Sequence, residues 1–94
     1  MNPITTSITV EGTQYTFRLP TSNEMIQLDL NALKLRGGIT DGLSIAYQNS
    51  QNLAALTLLC TAPEDVTFGD LPFHVINKLG GGLWKWINSF SKAE

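Results

Sequence analysis

The apolar positions of this chain change period partway along it. Between Ile4 and Leu19 they alternate. Ile8 and Val10 share one face, as do Tyr15, Phe17 and Leu19, and Glu11-Gly12 lies between the two sets. Period-two alternation marks a half-buried strand, and glycine supplies the positive φ of a tight turn. The pattern therefore predicts a β-hairpin over residues 4–19. A two-residue loop sets Ile8 opposite Tyr15, and a four-residue loop shifts the pairing by two. Both leave the same side chains on the same face. A lone hairpin is marginal in water, so it must pack on helices or pair with another chain. No other stretch reads as a strand, so its open edges predict pairing with a second copy.

From residue 22 the period becomes helical. Met25, Leu28, Ala32 and Leu35 form one stripe over 22–35, and Ile26, Leu30 and Leu33 form a second. Two stripes call for two neighbours. Thr21 and Glu24 have capping-box spacing. Gly37-Gly38 stop the helix, with Lys34 and Arg36 at its negative end. A second helix is expected over 42–60, capped by Asp41. Its first half is amphipathic, and its second half, NLAALTLLC, is apolar nearly all round, as in a central buried element. Pro63 ends it. Val66 and Phe68 are expected to anchor the connector beyond it.

A third helix is expected over 71–91, capped by Asp70 with Pro72 in its first turn. Ile76, Leu79, Leu83, Trp86 or Ile87, and Phe90 recur by threes and fours, and the register continues straight across Gly80-Gly81-Gly82. A flexible linker has no reason to keep helical phase. Three glycines in a helix cost about 2–3 kcal/mol relative to alanine. Either another backbone packs closely there, or the glycines are a hinge for the segment from Leu83 to Phe90. Trp84 lies off the main stripe, so one face cannot bury both tryptophans against one neighbour. Leu83, Trp84, Trp86, Ile87 and Phe90 are therefore the candidate partner-binding residues, weighed against completion of the core. The fold class is mainly α with an N-terminal β-hairpin, α+β, with about three helices in one small domain.

Composition narrows the chemistry. The 94 residues suit one domain, and 43 % are apolar. The net charge is −2, and the six basic residues are scattered. They form no stripe that could neutralise a phosphate backbone, so nucleic acid is not an expected partner. No apolar run reaches the roughly 20 residues of a membrane span. The N-terminus lacks the charged-then-apolar pattern of a signal peptide. Cys60 is the single cysteine, which fits a reducing compartment. His74 stands without the partners of a triad. Glu64, Asp65 and Asp70 do not match calcium-loop spacing. The glycine runs lack a phosphate-loop ending. No catalytic residue, metal or cofactor is expected, and the chain reads as a non-enzyme.

The layout as a whole resembles the small tail assembly chaperones of long-tailed bacteriophages. The likeness runs from about Ile8 to Phe90. It takes in YTFRLPTSNEM, a helix ending in LRGG, the apolar LAALTLLC, a Pro/Asp connector and the aromatic WKWINSF. This resemblance implies a homo-oligomerising protein of the host cytoplasm, absent from the mature virion. It implies a client, the apolar tape-measure protein, which is later handed to tail-tube protein. The competing expectation is a structural phage tail or connector subunit whose hairpin adds strands to a ring.

Overall fold

The computed structural model describes residues 4–91. Its elements are β1 (Thr5–Val10), β2 (Thr13–Arg18), α1 (Ser22–Leu35), α2 (Ile45–Leu59), β3 (Cys60–Ala62) and α3 (Phe73–Ser91), with a 3-10 turn at Phe68–Asp70 before α3. The class is α+β: three helices and a three-stranded antiparallel sheet in the order β1-β2-β3.

The hairpin closes through the two-residue loop. Glu11 and Gly12 take φ of 50° and 81°, the pair of positive values that matches the right-handed twist of the strands. Ile8 then lies opposite Tyr15 and Thr6 opposite Phe17. Tyr15 and Phe17 are buried under the sheet, while Ser7 and Thr16 share a 3.0 Å hydroxyl hydrogen bond on its outer face.

The expectation that the hairpin has no further strand to pair with is corrected by β3. Cys60–Ala62 leaves the end of α2 and pairs with β2 through Phe17 and Thr16, with a register irregularity between them. β2 is then the central strand, with β1 and the short β3 at the two edges of the sheet. The second helix also starts later than expected. Ser44 caps it by accepting from the Tyr47 amide, while Asp41 accepts from the Leu43 amide within the loop. The third helix begins at Phe73. Asp70 sits in the 3-10 turn, and the Pro72 carbonyl accepts from the Val75 and Ile76 amides.

Two polar clamps hold the layers. The capping box at Thr21 and Glu24 is formed. The Glu24 carboxylate also accepts from both terminal guanidinium nitrogens of Arg18, Nη1 at 2.6 Å and Nη2, which ties the end of β2 to the start of α1. Arg36 closes the other end of α1. Its Nε donates to the Ile39 carbonyl at 2.7 Å, its Nη1 to Ser50 Oγ at 3.3 Å, and its guanidinium lies 4.1 Å from the Tyr47 ring centre.

Helix α2 is the central element, with Ala54, Ala55, Leu56 and Leu59 buried. It packs against both α1 and α3, and α3 also meets β1. Phe68 anchors the connector, its ring 5.9 Å from that of Tyr15 and 6.3 Å from that of Phe17.

Candidate functional site

The C-terminal segment is mostly core. Helix α3 runs unbroken through the three glycines. A Cβ on Gly80 would stand 2.3 Å from Asn52 Cγ and 2.7 Å from Asn52 Cβ, so α2 approaches α3 where no side chain fits between them. On Gly82 it would meet Ile8 Cδ1 at 3.1 Å, and on Gly81 it would face open space. What lies against Gly80 is therefore the Asn52 side chain of α2, not another backbone, and the helix passes through the three glycines without a break. Leu83 is fully buried and presents no surface to a partner. Trp84, Trp86 and Ile87 are half-buried and pack on the core. Phe90 is the exposed member, edge-on to Trp86 with ring centres 5.4 Å apart.

The larger apolar surplus lies on α1. An ideal helix turns about 100° per residue. Leu28 and Ala32 therefore point one way, and both are buried. Ile26, Leu30 and Leu33 point nearly opposite and are 63 %, 50 % and 38 % exposed. Among the described residues only α2 packs extensively on α1, so the first stripe is covered at Leu28 and Ala32 but exposed at its ends, Met25 and Leu35, and the second stripe has no extensive neighbour. Leu43 and Ile45, at the loop end of the helix pair, are also exposed.

A groove of about 540 Å³ opens along the flank between α1 and α2. Asn31, Lys34 and Leu35 line it from α1, and Leu53, Ala54, Thr57 and Leu58 from α2. Leucine and alanine make up most of the lining, and Asn31, Lys34 and Thr57 are its polar members. Such a surface can hold apolar side chains presented at helical spacing. None of these residues stands out in the sequence as a site. Of the two α1 stripes only the first reaches it, through Leu35.

The reactive side chains do not converge. His74 Nε2 lies 2.5 Å from Glu11 Oε1, both exposed, in a bridge from α3 to the hairpin turn. Cys60 is half-buried, its thiol raised above its ordinary pKa mainly by burial, and its Sγ donates to the Ala62 carbonyl. Among the described residues, no three His, Cys, Asp or Glu side chains come together as a metal site, and no helix is long and apolar enough to cross a membrane. Among the described residues, Glu24 is the carboxylate moved far from its ordinary pKa. The Arg18 hydrogen bonds, and after them the Thr21 amide, lower it to about 2. That shift belongs to the clamp between β2 and α1.

Comparison of the chain with protein-family models, curated proteins and solved structures gives no match.

Proposed function

We propose that this chain is a non-enzymatic assembly factor that seats an apolar helical segment of a client in the groove between α1 and α2. The observation that carries this reading is the groove, an open trough of about 540 Å³ lined mainly by leucine, alanine and threonine. Helix-in-groove recognition needs such a trough, with the client offering anchors three or four residues apart. Phe90, exposed against Trp86, offers a further aromatic contact at the end of α3.

The resemblance in layout supplies the client's class. On that reading the chain is a phage tail assembly chaperone. It holds the long apolar tape-measure protein in the host cytoplasm until tail-tube subunits replace it, and it leaves before the virion is complete.

The test is co-expression with a tape-measure fragment from the same tail gene cluster. A soluble complex is expected, and Leu35→Glu, an exposed groove position, is expected to abolish it while leaving the urea midpoint in place. Purified particles should lack the protein. Its presence there at fixed copy number would overturn the chaperone reading in favour of a structural tail or connector subunit.

A further inference from the structure

We propose that the outer stripe of α1 is covered by α1 of a second copy of this chain, with the two helices running in parallel. This inference does not rest on the client reading, because none of the seam residues Asn23, Ile26, Leu30 and Leu33 lines the groove; Lys34 alone borders both surfaces.

The stripe has the spacing of a coiled-coil seam. Ile26, Leu30 and Leu33 keep a 4–3 step, and Asn23 continues it one step toward the N-terminus. In heptad terms Asn23 and Leu30 take a positions, and Ile26 and Leu33 take d positions. All four are exposed. The opposite side of the helix, at Leu28 and Ala32, packs inside the protomer, so covering the seam disturbs nothing in the fold.

The charges at the seam's edges select the orientation. Asp29 lies on one flank at a g position, and Lys34 on the other at an e position, five residues on. Both are exposed. In a parallel pair, g of one helix meets the e position five residues later on its partner. Asp29 of each copy therefore meets Lys34 of the other, and the symmetry makes the pair twice. In an antiparallel pair centred on Leu30, like flanks face each other and the two Asp29 carboxylates would meet. Asp29 Oδ1 is engaged by Gln51 Nε2 at 3.0 Å within the protomer. That bond orients the carboxylate and leaves its second oxygen to accept.

A helix of 14 residues is short for an isolated coiled coil. Here, however, the capping box and the packing on α2 have already ordered it. Association then meets little further ordering cost, and a short seam suffices for a weak dimer.

The test combines sedimentation with cysteine cross-linking on the full chain. The wild type is expected to pass from monomer to dimer as concentration rises through the micromolar range. Asp29→Lys and Lys34→Asp should each weaken the dimer roughly tenfold, since like charges then meet twice. The double exchange should restore it, and the two single variants should associate with each other better than either does with itself. In a Cys60→Ser background, Ile26→Cys should form a 26–26 disulfide dimer on mild oxidation. A wild-type protein that stays monomeric throughout would overturn the proposal. So would charge variants that associate as the wild type does. A failure of Ile26→Cys to cross-link with itself, while it cross-links to Leu33→Cys, would overturn the parallel arrangement.

Discussion

Gly80 lies against Asn52 with no room for a methyl group between them: its Cβ would stand 2.3 Å from Cγ and 2.7 Å from Cβ of that asparagine. Cβ cannot swing away by a rotamer change, so Gly80→Ala must push α2 from α3. The expected cost is about 1–3 kcal/mol, as for other overpacked cores. The neighbouring glycines should behave differently. Gly81 faces open space, so Gly81→Ala should stabilise the helix by about 1 kcal/mol. Gly82 faces only the flexible tip of Ile8, and Gly82→Ala should be close to neutral. Urea unfolding of the three variants checks this, and equal gains at all three positions would show that the glycines serve no packing purpose.

The link between Arg18 and Glu24 should appear in the acid limb of stability. The folded carboxyl titrates near 2, below its ordinary 4.5, chiefly because Arg18 bonds the charged form. A depressed folded pKa gives stability that is fully present above about pH 4.5. It is lost as pH falls through the interval down to about 2. Glu24→Gln should therefore be less stable than wild type at pH 7, and the difference should shrink between pH 4.5 and 2. Paired urea midpoints across that range are the measurement. A constant difference at all pH values would mean that the Arg18 contact does not set the titration.

Arg36 makes three kinds of contact at once: to a loop carbonyl, to a buried serine and over a tyrosine ring. Lysine can replace the charge but not the planar fork that makes them together. Arg36→Lys should cost about 1 kcal/mol, from a lost hydrogen bond and weakened ring contact. It should also loosen the loop between α1 and α2. Faster amide exchange confined to residues 37–44 would show this, and unchanged exchange there would assign the loop's order to other contacts.

The features legible in the chain are those encoded over short spans. Glu11-Gly12 with flanking alternation defines the hairpin and its buried face, whereas the choice of the two-residue loop, and with it the register, comes from the structure. Thr21 and Glu24, with Gly37-Gly38 beyond, define α1 to the residue. The third strand cannot be read this way. Cys60–Ala62 continues the apolar run of α2, and it becomes a strand only because β2, more than 40 residues away, offers its edge. The continuous phase across Gly80–Gly82 reveals the helix but not Asn52, which is the reason for the glycine. The two stripes of α1 are both visible. Which one is covered depends on α2 being its only extensive neighbour, and that is a property of the assembled fold. The C-terminal aromatics, conspicuous in the sequence, are therefore largely core, while the open apolar surface stands on the first helix.

The aromatic end of α3 offers a direct separation of core from contact surface. Trp84 is half-buried against the core, whereas Phe90 is exposed and forms a perpendicular ring pair with Trp86. Trp84→Ala removes buried ring area and should cost about 2–3 kcal/mol, somewhat under the full range for a completely buried tryptophan. Phe90→Ala removes one edge-to-face pair and should cost about 0.5–1.5 kcal/mol. For client binding the order should reverse. Phe90 can be approached from solvent, so its loss should weaken capture of a tape-measure fragment while folding stays largely intact. Trp84→Ala should lower binding only in proportion to the unfolded fraction. Urea midpoints and binding isotherms on the same two variants decide the matter. If Phe90→Ala leaves binding unchanged, the end of α3 has no part in client contact, and the groove between α1 and α2 must carry it alone.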